Sequence, residues 1–274
     1  MSSMPGWQEN MRIRVYGKKE LSPVVVLHGG PGAAGESACI ARGLSEHFRV
    51  FEPWQRISGD KPLSVAIHVS DLHELISSRC ANQKPALVGE SWGAMLALAY
   101  SAAYPENAGP IVLVGCGTFD EASRAELVKI RKNRILAYIE KHLEYKSDLN
   151  LSFDELNMKY HEMTDVYESI DNAAHIPVSE PFDIKAHTET FNDMLRCQKE
   201  SIYPQSFTAI KSSVLMVHGE YDPHPGKMIR DSLKKYIPQL EYYEFGKCGH
   251  KPAIEKFAKD DFFKLICNWL KKRC

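Results

Sequence analysis

Over the first 118 residues, short apolar segments alternate with segments of helical spacing, and this order limits the folds that the chain can adopt. Segments of helical character cover 64–79 and 91–104. The apolar segments between and around them are rich in β-branched residues: PVVVLH at 23–28, HFRVFEP at 47–53, PALVG at 85–89 and PIVLVGC at 110–116. Strands that are apolar along their whole length are typical of a parallel sheet with helices on both faces. The sequence therefore predicts an α/β fold with a mostly parallel sheet, opened by a half-buried antiparallel strand, MRIRVYG at 11–17.

The alternation stops for almost ninety residues and then resumes. From Glu121 to about Tyr203 the spacing is helical, with a capping box at 152–155. Strands SSVLMVHG at 212–219 and LEYYEF at 240–245 follow, with helices near 226–236 and from about Pro252 to Lys272. Three independent domains would leave each sheet fragment too small to form a core. We therefore predict one α/β core in two parts, 1–118 and 206–274, with a helical cap at 119–205 inserted after the sixth strand.

Charge and cysteine content exclude several classes of protein. The formal net charge of the 274 residues is −1, so neither nucleic acid nor an anionic membrane is an expected partner. No apolar segment is long enough to cross a bilayer, and the N-terminus lacks the apolar core of a signal peptide. Seven scattered cysteines without C-x-x-C spacing argue against a disulfide framework and a zinc site. We expect a cytoplasmic protein.

The segment LVGESWGAML places Ser91 between two glycines, after a predicted strand and before a predicted helix. A serine hydroxyl attacks a carbonyl only when a base accepts its proton and a third group orients that base. A serine on a tight strand-to-helix turn, with glycines that allow close backbone approach, is the nucleophile elbow of a serine hydrolase. An ordinary small residue in a βα turn is the alternative.

The elbow arrangement requires an acid and then a histidine further along the chain. Asp222 follows the strand at 212–219 and His250 follows the strand at 240–245, so both lie where active sites of open α/β sheets are found. Glu220 competes with Asp222 for the acid, and His224 competes with His250 for the base. His224 would leave the same loop as Asp222, which makes the relay harder to build. His218 lies within an apolar strand and is predicted to be a core histidine.

Two backbone N–H groups are expected to bind the developing oxyanion. One is that of Trp92, the residue after the nucleophile. The other comes from the glycine-rich loop HGGPG at 28–32, where Gly30 is favoured and Gly29 is the alternative. We predict that His28 braces this loop and takes no part in the chemistry.

These segments resemble the proline iminopeptidase-like branch of the α/β-hydrolase superfamily. The resemblance is carried by HGGPG, GESWGAMLALAYSAAYP at 89–105, HGEYDP at 218–223 and GHKP at 249–252. It implies Ser91 as nucleophile, Asp222 as acid, His250 as base, Gly30 and Trp92 at the oxyanion hole, a helical cap, and neither metal nor cofactor. The substrate is then a small molecule or a short peptide.

Two departures bear on the substrate. The branch carries a D-Q-R-G-x-G-x-S segment, of which EPWQRISGDKPLS at 52–64 keeps the Gln-Arg pair and the final serine. None of the many cap acids matches a position that would hold a peptide's free amino terminus. We therefore predict hydrolysis of a small ester or amide. An iminopeptidase-type aminopeptidase remains an alternative, as does a non-catalytic small-ligand binding protein of the same fold.

Overall fold

The computed structural model describes residues 11–80, 83–160, 168–170 and 181–274. The predicted α/β architecture is confirmed, because one seven-stranded sheet spans the molecule in the order β1-β3-β2-β4-β5-β6-β7. The predicted antiparallel strand β1 pairs with β3, and every other neighbouring pair is parallel. The strands are β1 (Ile13–Tyr16), β2 (Pro23–Leu27), β3 (Arg49–Pro53), β4 (Ala86–Glu90), β5 (Ile111–Val114), β6 (Val214–Gly219) and β7 (Leu240–Phe245).

Helices cover both faces of the sheet, as the continuous apolar strands predict. One buried cluster packs the sheet against α2, α3 and α7, and the other packs it against α1 and α8. In the described part of the chain the α-helices are α1 (Ala38–Leu44), α2 (Val65–Arg79), α3 (Trp92–Ala103), α4 (Glu121–Lys141), α5 (Phe153–Tyr160), α6 (Ile184–Lys199), α7 (Gly226–Lys234) and α8 (Lys259–Lys271).

Two local predictions have different outcomes. The capping box is present, because the Ser152 hydroxyl accepts from the Glu155 N–H and the Glu155 carboxylate accepts from the Ser152 N–H. The last helix begins at Lys259 and not near Pro252. Residues 252–258 form turns that bury Ala253 and Ile254.

The long helical segment leaves the sheet after the fifth described strand, β5, and not after the sixth as predicted. The strand count was one too high, because only four strands precede β5 among the described residues. The segment has a small core of its own, with Ile135, Ile139, Leu156 and Tyr160 buried together. The predicted continuation of helical spacing over 161–167 lies outside the described residues.

Strands β4, β6 and β7 run parallel and end at the same edge of the sheet, where the loops after them meet. Such carboxyl edges are where open α/β sheets bind ligands. None of the helices in the described residues combines the length and the apolar character needed to cross a membrane.

Candidate active site

Ser91 has a strained backbone at the turn between β4 and α3. Its φ of 54° and ψ of −114° lie outside the regions that a non-glycine residue normally adopts. Such a conformation costs on the order of 1–3 kcal/mol and persists only where the surroundings impose it. The Ser91 N–H donates to the Val114 carbonyl at 2.8 Å, which fixes the turn to the end of β5. The side chain is partly exposed, so a substrate can reach the hydroxyl.

The glycines on either side of Ser91 allow the backbones to approach closely. A Cβ on Gly89 would lie 2.2 Å from the Gly93 carbonyl oxygen, and a Cβ on Gly93 would lie 2.2 Å from the Leu27 carbonyl oxygen. Any side chain at either position would therefore push α3 away from β4 or β2. The G-x-S-x-G spacing is required by this packing.

Asp222 and His250 meet as predicted from their order in the chain. The His250 Nδ1 lies 2.9 Å from the Asp222 Oδ2, and both residues are buried. Because an ionised carboxylate only accepts hydrogen bonds, Nδ1 carries the proton and Nε2 is left as the basic atom. This is the tautomer that a general base needs.

The end of β5 brings His250 close to Ser91. A Cβ on Gly115 would lie 2.9 Å from the His250 imidazole, so the ring lies directly against the residue that follows Val114. Val114 in turn accepts from the Ser91 N–H. Ser91 and His250 thus contact adjacent residues of one strand end. No hydrogen bond joins the Ser91 hydroxyl to His250 among the described residues.

The charges around His250 favour its protonated form. Burial alone would lower the pKa of His250, but the carboxylates of Asp222 and Glu168 outweigh it and raise the pKa to about 9. Burial would raise the pKa of Asp222, but the neighbouring imidazoles of His250 and His224 hold that pKa well below its usual 3.8. Asp222 is therefore ionised and stabilises an imidazolium at His250.

The competing residues have different surroundings. Glu220 is exposed, whereas Asp222 is buried beside the histidines. His218 is fully buried in β6, in agreement with its prediction as a core histidine. His224 also reaches the acid, with its Nδ1 2.9 Å from Asp222 Oδ1. The sequence argument against His224 was that it leaves the same loop as Asp222, yet in the structure both His224 and His250 contact the Asp222 carboxylate.

The loop HGGPG lies against Ser91. A Cβ on Gly29 would lie 3.2 Å from the Ser91 Cβ, and Gly30 has a φ of 45° that glycine adopts easily. Trp92 begins α3, where N–H groups have no partner within the helix. Among the described residues, no carbonyl accepts from the N–H of Gly30 or Trp92. Both groups are available to bind an oxyanion.

A buried network through Gln55 connects the Trp92 side chain to the start of the glycine loop. The Gln55 side chain accepts from the Trp92 indole N–H at 2.6 Å and donates to the His28 carbonyl at 3.0 Å. The backbone N–H of Gln55 donates to the His28 Nε2, so Nδ1 of that ring donates to the Gly29 carbonyl at 2.8 Å. His28 therefore braces the glycine loop, as predicted. No sequence pattern indicated this role of Gln55, although the Gln-Arg pair was recognisable.

The helical segment contacts the histidine loop directly. The Glu168 carbonyl accepts from the His250 N–H at 2.7 Å, and the Glu168 carboxylate pairs with Arg131 of α4. The Ser169 hydroxyl donates to Glu255 at 2.9 Å. Sequence reasoning missed Glu168, because no local pattern indicates which residue of a long helical segment will contact a loop eighty residues later.

Acidic residues at and beyond the start of α6 bind the segment that departs from the family pattern. The Asp183 carboxylate accepts from the Ser58 N–H and hydroxyl, both at 2.8 Å. The Glu189 carboxylate accepts from the Leu63 N–H at 2.9 Å. The Asp193 carboxylate accepts from the Val65 N–H at 2.9 Å, at the beginning of α2. We call these three acids and the backbone of 58–65 the α6 latch.

Asp222, His224 and His250 form the only group of potential metal ligands with suitable spacing in the described part of the chain. Both Nδ1 atoms are already hydrogen-bonded to the carboxylate. We therefore assign the group to the histidine relay.

Known proteins share both the fold and parts of the sequence. The sequence profile of the alpha/beta hydrolase fold family matches residues 22–257. A proline iminopeptidase of Lactobacillus crispatus (strain ST1) is 25% identical over 94% of this chain and 93% of its own length. The meta-cleavage product hydrolase CumD of Pseudomonas fluorescens IP01 has a TM-score of 0.65 at 19% identity, covering 96% of this chain and 94% of its own. VinJ has a TM-score of 0.67 at 18% identity, covering 99% and 98%.

Proposed function

The chain belongs to the α/β-hydrolase fold family and is a hydrolase, and we propose that it is a serine hydrolase with Ser91 as its nucleophile. The observation that carries the proposal is the strained Ser91 backbone, with φ 54°, between two glycines at the carboxyl edge of the sheet. A structural serine in a βα turn has no need of that strain. A nucleophile does, because the strain holds the hydroxyl above the strand ends.

In the proposed reaction, His250 Nε2 accepts the Ser91 proton while Oγ attacks the substrate carbonyl. Asp222 holds the imidazole by Nδ1 and stabilises its positive charge. The tetrahedral intermediate collapses as the imidazolium protonates the leaving alcohol or amine, leaving an acyl group on Oγ. Water, deprotonated by the same imidazole, then attacks the acyl group and releases the acid.

The oxyanion is proposed to bind to the N–H groups of Gly30 and Trp92. Support comes from their lack of other acceptors in the described residues and from the contact between the glycine loop and Ser91. The positive end of the α3 dipole adds to the stabilisation. The network through Gln55 also joins the Trp92 side chain to the loop that contains Gly30.

We further propose that residues 119–205 form a cap over this site, on a core made of 1–118 and 206–274. The separate small core of the insertion and the contact of Glu168 with His250 support this division. The substrate is proposed to be a small ester or amide. The α6 latch supports this class, because three cap acids already bind backbone N–H groups and do not form a ready site for a substrate ammonium group.

A fluorophosphonate probe tests the nucleophile. The native protein should react with the probe, and the adduct should map to Ser91 by peptide mass analysis. Ser91→Ala should abolish labelling without changing Tm by more than a few degrees. Ser212→Ala is the matched control, since that serine precedes β6, donates to the Ala108 carbonyl at the opposite edge of the sheet and should leave labelling intact. Labelling of Ser91→Ala equal to that of the native protein would refute the proposal.

An iminopeptidase-type aminopeptidase is the second candidate, favoured by the match to a proline iminopeptidase along 94% of the chain. A comparison of kcat/KM for a prolyl arylamide, its N-acetylated form and a short acyl ester separates the two. Activity on the ester, with little on either amide, supports the proposed class. Activity on the free-amine amide that disappears on acetylation supports the aminopeptidase. A binding protein of this fold would turn over none of the three and would not react with the probe.

A further inference from the structure

The Asp222 carboxylate contacts two imidazoles, although only one contact is needed to orient the proposed base His250. Its Oδ2 contacts the His250 Nδ1 at 2.9 Å. Its Oδ1 contacts the His224 Nδ1 at 2.9 Å and accepts from the His224 backbone N–H at 2.8 Å. The two rings stack with their centroids 4.6 Å apart and their planes 20° apart. All three residues are buried.

The backbone presents His224 to the acid in a fixed orientation. Pro223 and Pro225 flank it, and each proline locks its own φ while the second also restricts His224 to extended backbone angles. The two donors on Oδ1 are therefore set by the chain and not by a flexible contact. With both donors in place, the carboxylate cannot rotate about its Cβ–Cγ bond without breaking them. Oδ2 then stays directed at His250.

We infer that His224 is a positioning residue, which fixes the Asp222 carboxylate so that the proposed base His250 keeps its tautomer and orientation. The inference rests on the proposed function. It assigns no proton transfer to His224, whose role is to donate a hydrogen bond from a neutral ring.

The groups around His224 are consistent with a neutral donor. Besides Asp222 and His250 it is faced by His218 of β6, Arg131 of α4 and the Glu168 carboxylate. Burial lowers the pKa of His224, and the attraction of Asp222 only partly opposes this. The ring is therefore uncharged at neutral pH, and it stabilises the carboxylate without placing a second full positive charge beside His250.

Two substitutions separate hydrogen bonding from ring packing. In His224→Asn the side-chain amide can donate to Asp222 in place of Nδ1, while the ring is lost. In His224→Phe the ring remains and the donor is lost. If His224 positions the acid, the Phe variant should lose about tenfold to a hundredfold in kcat with KM little changed. The Asn variant should recover most of that loss.

The pH profile distinguishes positioning from a general structural effect. Without the His224 donor, the Asp222 charge acts more fully on the His250 imidazolium, so the pKa of His250 should rise. The acid limb of kcat/KM in His224→Phe should move to higher pH by about half a unit or more, and in His224→Asn it should stay in place. The control is His47→Phe, at a partly exposed histidine that lies far from His224 in the sequence. This variant should change neither kcat nor the pH profile.

A second readout does not depend on turnover. In ¹H NMR, Nδ1 protons bonded to a carboxylate give resolved downfield signals, and the native protein should show two, from His224 and His250. His224→Phe should lose one, and the other should titrate at a higher pH. A native pH profile and an unmoved His250 signal in a folded His224→Phe variant would overturn the inference. Failure of the proposed function would instead appear as absent probe labelling of the native protein, whatever the NMR result.

Discussion

Replacement of Gln55 by leucine should break the link between the Trp92 side chain and the glycine loop, which carry the two proposed oxyanion donors, while nearly preserving side-chain volume. The Gln55 side chain joins the Trp92 indole to the His28 carbonyl inside the protein, at 2.6 and 3.0 Å. Leucine can replace neither contact. The backbone bond from Gln55 to the His28 ring is unaffected, because it does not involve the side chain. The perturbation is therefore confined to one donor and one acceptor.

The expected magnitude follows from the two buried groups left without partners. An unpaired buried donor or acceptor costs about 1–3 kcal/mol, and the added apolar contact of leucine offsets part of that. We expect the free energy of unfolding to fall by about 2–4 kcal/mol, which for a chain of this size lowers Tm by at least about 4 °C. Loss of an oxyanion donor reduces kcat by about 10²–10³, so a shifted but present donor should cost about tenfold to a hundredfold.

A double-mutant cycle with Trp92→Phe provides the assay. The Phe variant removes the indole N–H and keeps the backbone N–H that is proposed to bind the oxyanion. If Gln55 acts through the indole, kcat of the double variant should fall by less than the product of the two single effects. Steady-state kinetics and urea unfolding of the four proteins give both quantities. Additive effects on kcat, or a kcat for Gln55→Leu within twofold of the native value, would show that Gln55 does not affect turnover through the Trp92 indole.

Three further changes have expected outcomes. Asp183→Ala should lower the free energy of unfolding by about 2–4 kcal/mol, because it removes the N-cap of α6 and two bonds to Ser58. Asp183→Ser should restore only the N-cap. Chemical denaturation measures the stability of both variants. The Asp222 and Glu168 carboxylates outweigh burial and raise the pKa of His250 to about 9, so kcat/KM should rise with pH up to about that value as the ring loses its proton. The stability that this charge contributes is complete below pH 6.5 and should be lost between there and about pH 9, as unfolding at several pH values would show. Gly93→Ala should abolish probe labelling, because its Cβ would lie 2.2 Å from a backbone oxygen. The control Gly59→Ala should label normally, because a Cβ at that position has no atom within 4 Å.

Local sequence patterns predicted the parts of the molecule that short-range physics determines. Continuous apolar runs identified β2, β4 and β5 because strands covered on both faces need no polar positions. The elbow at Ser91 was predictable because only glycine permits the close approaches on either side of it. The order of Asp222 and His250 was informative because parallel strands place their following loops at one edge.

Contacts between distant segments were not predictable in the same way. Gln55 reaches Trp92 across 37 positions, and Asp183 reaches Ser58 across 125. Each contact depends on one polar side chain, so neither leaves a periodic signal in the sequence. The sharing of Asp222 by two histidines was missed for another reason. Sequence order ranks candidates for a single base, and it carries no information about a second ring that supports the acid.

The two departures from the family pattern, which are the altered segment at 52–64 and the unmatched cap acids, contact each other in the structure. This contact bears on the role of the cap acids. The acids of α6 are bonded to the altered segment at 52–64 and to the residue that follows it, with the Glu189 carboxylate on the Leu63 N–H and the Asp193 carboxylate on the Val65 N–H. If Asp193 instead held a substrate ammonium group, its charge would matter, and Asp193→Asn and Asp193→Ala should both raise KM for a free-amine amide and not for its acetylated form. If Asp193 only binds the Val65 N–H within the α6 latch, its accepting oxygen matters more than its charge. Asn should then be tolerated, while Ala should lower Tm and reduce kcat/KM for every substrate in the same proportion. A selective rise in KM for the free amine with Asp193→Asn would show that the acid binds substrate.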